Sequence, residues 1–385
     1  MLDAIVLGVG VMGAAVARAL AARGRSVLAL EAHALGHALG SSHGHSRVIR
    51  KAYFEEPRYV PLIERAYTLW HELERENGEA LLLTTGGLHL GRPDGAGMRG
   101  VRESADTHAL SHEVLAAAEV RRRFPQFRME DDEIGVFEPD AGVLAPERAV
   151  AAMVASARAH GAEVRDAEPV LDVALGPDGV RVTTVRGAVD ARELVVCAGP
   201  WLAGVGKSAA LFAPGAPLHV GVPLVVQRQV QLWFAPRTPE RFEPGAFPLF
   251  IHFRGDRAFY GMPRFGRDGV KVCRHHGGAH VSPDGVDRRV SADDEATVRD
   301  YVRAAIPDAD GALLAGEVCM YTCTPDENFV IGRHPAHARV LVAGGFSGHG
   351  FKLAPLVGEV IADLHRGGTT RHDIGLFDPT RFAAR

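Results

Sequence analysis

The apolar positions change period several times along the chain, and each change marks an element. The opening run Ala4-Ile5-Val6-Leu7 is continuously apolar and stops at glycines 8, 10 and 13. Such a run, bounded by glycine, predicts a buried strand. Helical spacing follows, predicting a helix to about Arg23 with Gly24 as its C-terminal stop. Val27 to Leu30 predicts a second strand that ends at Glu31. Strand, helix, strand in that order implies a parallel sheet. Residues 34–53 are rich in Gly, Ser and His and predict an extended loop. Tyr59 to Glu76 returns to helical spacing, and near Gly86 the pattern breaks into short strands and turns. Ala145 to His160 predicts a helix and Glu163 to Leu175 a strand; Gly176-Pro177-Asp178-Gly179 is a turn signal, and residues 180–197 predict two more strands. Alternation dominates from 219 to 275, and a helix is expected near Asp293–Ala305. The chain then predicts a strand over Val340 to Gly345, a glycine loop over 346–350 and a helix over Phe351 to Leu364. An α/β pattern interrupted twice by β-rich stretches predicts discontinuous domains.

Composition narrows the class without deciding it. With 385 residues and 46% hydrophobic content the chain can bury large cores, and its length points to about two domains. The net charge of -4 is mild and dispersed, with no basic stripe for nucleic acid. No segment is long and apolar enough to span a bilayer. The apolar stretch Ile5 to Leu20 lacks a basic leader and reads as strand, turn and helix rather than a signal peptide. Four cysteines, at 197, 273, 319 and 323, are too few for a disulfide framework and lack zinc spacing. The C-terminal Phe382-Ala383-Ala384-Arg385 is not a Ser-Lys-Leu type address. A reduced, cytoplasmic setting is the expectation.

Chemistry enters at the glycine turn. In Gly8-x-Gly10-x-x-Gly13, Gly8 permits the turn, Gly10 admits a pyrophosphate and Gly13 lets the helix pack close. The helix N-terminus favours phosphate charge. Glu31, eighteen residues after Gly13 and at a strand end, can bind ribose hydroxyls. This constellation predicts a dinucleotide without saying which. Further on, Ser42-His43-Gly44-His45-Ser46-Arg47-Val48-Ile49-Arg50 sets two arginines three apart among small residues. Their fork geometry suits a carboxylate or an electron-rich ring. A solvated basic loop is the plainer reading, and the two histidines lack the company a metal site needs. Lys271 and His275 are four apart, which on a strand sets them on one face.

Read together and in order, these segments resemble the monomeric sarcosine oxidase family of the D-amino-acid oxidase superfamily. The carriers are the 42–50 loop, Tyr260-Gly261-Met262-Pro263, the spacing of Lys271 and His275, Cys319-Met320-Tyr321-Thr322 with Thr324, Asp326 and Phe329, and Gly345-Phe346-Ser347-Gly348-His349-Gly350-Phe351-Lys352. The resemblance covers nearly the whole chain. It implies a Rossmann-like FAD-binding domain over residues 1–84, 145–218 and 320–385, and a discontinuous, β-rich substrate domain over 85–144 and 219–319. It also implies that Cys319 carries FAD covalently and that Gly8, Gly10, Val11, Met12, Gly13, Glu31 and Ala32 hold the dinucleotide. Val170 would lie at the adenine end, with Ala198 and Gly199 nearby. His43, Ser46 and Arg47 would face the flavin, joined by Met320, Gly345, Gly348, His349, Gly350 and Lys352. Arg50 and Lys352 would bind the substrate carboxylate, and Gly348 would lie beside it. Tyr260, His275 and Tyr321 would line the reacting centre. Lys271 would be a cation at the place of oxygen reduction, needing a water network or the reduced flavin as partner in its burial.

Four departures stand out. Ser46 replaces Thr, His45 replaces Asp, Ile251 stands where the sarcosine enzymes have Met, and Arg264 where they have Ser. Cys323 occupies a position usually held by another residue type and is a second candidate thiol. The implied reaction is oxidation of sarcosine by oxygen and water to glycine, formaldehyde and hydrogen peroxide, by a monomer with no metal and no macromolecular partner. Other N-methyl amino acids, N-methyltryptophan, L-pipecolate or proline, and fructosyl amino acids are alternative substrates. A flavin dehydrogenase or a flavin-free NAD-binding protein are the rivals in mechanism and class.

Overall fold

A computed structural model describes residues 1–383. Its first sheet has eight strands. The strand Leu2–Leu7 lies between Val27–Leu30 and Gly187–Val196, parallel to both, with Glu163–Arg165 outside Val27–Leu30. The strand His337–Gly344 joins Gly187–Val196 in parallel through Leu194 to Val196. Antiparallel strands Val170–Leu175 and Val180–Thr184 extend one side as a hairpin. Leu2–Leu7 is central, which is why its Ala4 to Leu7 run is continuously apolar.

The helix Val11–Ala21 starts at Gly10 and packs against the helices Pro146–Ala159 and Ala354–Gly367. Its buried face is almost all Ala, Val and Met, so neighbouring backbones approach closely. Two glycines are required here for different reasons. Gly8 has φ of +92°, open to glycine at no steric cost, and a side chain at Gly13 would collide with the Gly8 carbonyl oxygen.

The second sheet also has eight strands, in the order Leu313–Cys323, Val225–Phe234, Val270–His275, Arg257–Met262, Leu249–Arg254, Gly87–Gly91, Ile134–Glu138 and Glu113–Ala116. Its aromatic core gathers Phe127, Phe242, Phe247, Phe250, Phe259 and Tyr301. Leu313–Cys323 pairs with Val225–Phe234 along its length, which delivers Cys319 and Tyr321 to the junction of the two sheets.

Most expected elements are present at close to the expected bounds. Three differ. The loop 34–53 contains a short strand, Arg47–Ile49, paired with Gly142–Leu144. The region after Gly86 holds two helices, Ala96–Thr107 and Ala117–Arg123, among its strands. The last helix begins as a 3-10 turn, Phe351–Leu353, before the α-helix Ala354–Gly367. No described helix is long and apolar enough to cross a membrane.

Candidate active site

Two cavities meet at one seam. The larger, about 520 Å³, runs from the glycine turn across the first sheet's strand ends. The smaller, about 80 Å³, is enclosed between the 46–55 segment, the second sheet and the loop 348–352. Arg47, Cys319, Tyr321, Gly348 and Phe351 line both.

The larger cavity is built mostly from backbone. Gly8, Gly10, Val11 and Met12 form its floor, Glu31 and Ala32 one side, and Val170, Ala198 and Gly199 the far end. Met320, Gly345 and Gly350 complete the end nearest the seam. The helix Val11–Ala21 carries no side-chain cap at Gly10 and no acid in its first turn, so its N-terminus meets the cavity with free positive character. Glu31 accepts from the Val9 N–H at 2.8 Å and the His33 N–H at 3.0 Å. Burial alone would raise its carboxyl; His37 and those N–H groups outweigh burial and hold it below the ordinary range. The Ser42 hydroxyl accepts from the Val11 N–H at 3.0 Å and pins the basic loop over the turn. These features fit FAD: amides and a helix end for the pyrophosphate, an ionised carboxylate for ribose, and an aromatic and apolar far end.

Several expected cofactor residues lie elsewhere. Gly13 faces the strand, not the cavity, and serves helix packing. His43 lines neither cavity, while Ser46, His349 and Lys352 line the smaller one. His43 is buried beside Cys319, its Nδ1 3.3 Å from Glu317. Glu317 also contacts His45 at 3.3 Å and Arg267 at 2.6 Å.

Cys319 is the only one of the four thiols at the seam. Arg47 Nη2 lies 3.7 Å from its sulfur. Burial would raise the thiol, but His43 and the Arg47 charge bring it down to about 7. Cys323 lines neither cavity, and burial pushes its thiol up to about 12.

The smaller cavity is built from side chains. It brings together Arg50, Ile251, Tyr260, His275, Tyr321 and Lys352, as expected for one site. The hydroxyls of Tyr260 and Tyr321 are 3.5 Å apart, and His275 Nδ1 is 3.4 Å from the Tyr321 hydroxyl. Burial and the adjacent His276 hold His275 well below the ordinary imidazole range, so it is neutral. Burial likewise brings Lys352 down to about 7. Its ammonium donates to the His349 carbonyl at 2.6 Å.

Lys271 lines neither cavity. Its buried ammonium donates to the carbonyls of Gly44 at 2.7 Å and Ser46 at 3.0 Å, and sits 5.1 Å from the Trp233 ring centre. Its protein partners are thus the backbone of the basic loop. Burial, aided by Arg47, lowers it to about 7.

Sequence reasoning missed the residues that hold the arginines. Glu55 takes both oxygens to Arg50 Nη2, at 2.9 and 2.8 Å, and Arg50 Nη1 donates to the Ala52 carbonyl at 2.6 Å. Burial opposes the Glu55 charge, yet Arg50, His349 and Lys352 hold it well below the ordinary carboxylate range. Arg50 is also sandwiched between Tyr53 and Phe54, at 4.7 and 4.4 Å from their ring centres. Glu147, from a distant helix, accepts the N–H groups of Gly44 and His45. Glu55 follows Arg50 by five residues, so a local charge pair was the available signal.

Residues 3–364 match the family described as FAD dependent oxidoreductase. The chain belongs to the FAD dependent oxidoreductase family. It is 44% identical to the monomeric sarcosine oxidase of Streptomyces avermitilis, over 99% of this chain and 98% of that protein. It is 34% identical to the N-methyl-L-tryptophan oxidase of Salmonella heidelberg, over 99% of each. Among solved structures, NikD, an unusual amino acid oxidase essential for nikkomycin biosynthesis, superposes with a TM-score of 0.84 at 25% identity, covering 98% of this chain and 97% of that one. The protein is thus an FAD-dependent oxidoreductase of the sarcosine oxidase type, as its motifs imply.

Proposed function

We infer that this oxidoreductase oxidises sarcosine, using oxygen and water and releasing glycine, formaldehyde and hydrogen peroxide, with its FAD held covalently by Cys319. The observation that carries the reading is the seam. A low-lying thiol and Arg47 stand where a dinucleotide cavity opens into a small, cationic one. FAD supplies the two-electron acceptor. The chain's residues bind and orient the amine. Arg50 and Lys352 supply the charge for the substrate carboxylate, each charge-assisted contact contributing about 1.5–3 kcal/mol. Because Arg50 is already paired with Glu55, a substrate carboxylate enters by competing for that fork.

Arg47, Arg50 and Lys352 together disfavour a further cation, so the amine sheds its proton and reacts neutral. Neutral His275 and the hydroxyls of Tyr260 and Tyr321 flank it without adding charge. Lys271 fixes the loop that presents Arg47 and places a positive charge behind it; on this reading that charge serves oxygen reduction. On this reading the first sheet belongs to the FAD-binding domain and the second to the substrate domain, whose strand Leu313–Cys323 runs past the expected 319/320 boundary. A monomer acting in the cytoplasm completes the reading.

The size of the smaller cavity favours sarcosine over N-methyltryptophan. Its roughly 80 Å³ suits a small secondary amine such as sarcosine better than one carrying an indole group. A peroxide assay across sarcosine, N-methyl amino acids, L-pipecolate, L-proline and fructosyl amino acids tests the reading. Sarcosine should head the series; a preference for a bulky or cyclic amine would replace the substrate while keeping the family.

A further inference from the structure

Relatives of this chain include oxidases of both a very small and a very large N-methyl amino acid, so something in the cavity wall must choose between them. Part of the smaller cavity is walled by the second sheet, with Ile251, Tyr260 and Met262 held in its strand ladder. One wall is different. Phe54 lies on an irregular segment, lines the cavity and is partly exposed on its other side. It therefore stands between the site and solvent.

Its ring is held on three sides. The Arg50 guanidinium lies 4.4 Å from its centre, Phe253 packs edge-on at 5.1 Å, and His275 stands edge-on at 6.3 Å. Behind it, Gly100 on the helix Ala96–Thr107 comes so close that any side chain there would collide with the Phe54 carbonyl oxygen. The backbone that carries Phe54 is thus backed closely by a helix. Because Arg50 is the carboxylate anchor on the reading above, this ring adjoins the place where a substrate's carboxylate end would bind.

We propose that Phe54 sets substrate size: it excludes amino acids with a bulky group on the α-carbon and confines the enzyme to glycine-class secondary amines. This rests on the proposed function for the chemistry, but the exclusion is a property of the wall alone. A hydrophobic pocket discriminates by roughly 10–200-fold per group it must reject, which sets the effect to look for.

The test uses the FAD-loaded enzyme and two carboxylates that have no amine to oxidise, propanoate and 3-phenylpropanoate, titrated against the visible absorption of the bound FAD. Phe54→Ala should tighten 3-phenylpropanoate relative to propanoate by roughly tenfold or more. Phe54→Leu keeps most of the bulk but removes the aromatic face from Arg50, and should leave that ratio near the parent's. In turnover, kcat/KM for N-methyl-L-phenylalanine relative to sarcosine should rise by a similar factor in Phe54→Ala only. An unchanged ratio in Phe54→Ala would overturn the proposal. So would an equal shift in Phe54→Leu, which would assign the effect to the lost Arg50 stacking. If Phe54→Ala fails to accumulate, Phe54→Val carries the same comparison. Should the parent oxidise no N-methyl amino acid, the proposed function fails while the titration still decides the wall.

Discussion

The two cavities are made of different materials. The larger is lined by backbone amides, glycines and a helix end, and its donors are already aimed. The smaller is lined by charged side chains that are already engaged: Arg50 with the Glu55 carboxylate, Lys352 with the His349 backbone carbonyl. A backbone site is fixed when the chain folds. A side-chain site of opposed charges is held shut by its own pairs until a competing carboxylate arrives. The cofactor cavity is therefore preformed, and the substrate cavity is set by exchange of partners.

The seam between them gives the largest expected effect. Cys319→Ser should abolish covalent FAD outright, read as the loss of one flavin from the intact mass, while Cys323→Ser should leave the adduct complete. The reverse pattern would move the link to a thiol that burial keeps protonated. The titration sharpens this. In FAD-free protein, alkylation of Cys319 should rise through about pH 7, because its thiol is acidic there, and Cys323 should stay inert.

Lys271 tests whether charge behind the seam reaches across it. Lys271→Met should slow oxygen consumption by the substrate-reduced enzyme by about 10²–10³-fold, the scale of losing one preorganised charge partner. Anaerobic reaction with sarcosine, followed by stopped-flow, should change far less. Collapse of the anaerobic step alone would make Lys271 a pin for the basic loop and nothing more.

The charge pairs of the smaller cavity should respond with opposite signs. Arg50→Ala should raise the KM for sarcosine by roughly 10–100-fold, from a lost contact of about 1.5–3 kcal/mol. Glu55→Gln should lower KM by freeing the fork, while lowering thermal stability, because a buried arginine is left without its counter-charge. A rise in KM in both variants would contradict the exchange of partners.

The smallest effect is on stability. Lys271 is protonated up to about 7 in the folded protein and to the ordinary 10.5 when unfolded. Between those values the unfolded chain binds the extra proton, so stability should rise with pH there. Urea titrations should show a slope near 1 kcal/mol per pH unit from this lysine, by the order of magnitude of linkage. Lys271→Met should flatten it.

What was legible in the sequence tracks the same contrast. The glycine turn, Glu31 and the Cys319 string are local patterns, and each lies where its spacing implies. The helix Ala96–Thr107 was not legible, because Gly97 and Gly100 dilute its apolar spacing of Met98, Val101 and Ala105. Gly100 is explained only by the Phe54 backbone against it, a tertiary contact. The partners of Lys271 were not legible either, because they are carbonyls of a loop more than two hundred residues earlier. Glu147 supports that loop from another helix, and no local pattern points to it.

The central claim is that the smaller cavity presents the N-methyl carbon of a small amino acid for oxidation. Sarcosine isotopically labelled at its N-methyl carbon tests this most directly. The account predicts that all label leaves as formaldehyde, with glycine and hydrogen peroxide formed in equal amounts. Label retained in methylamine, with glyoxylate as the other product, would show that the methylene carbon is oxidised instead, and would contradict the assigned orientation at Arg50 and Lys352.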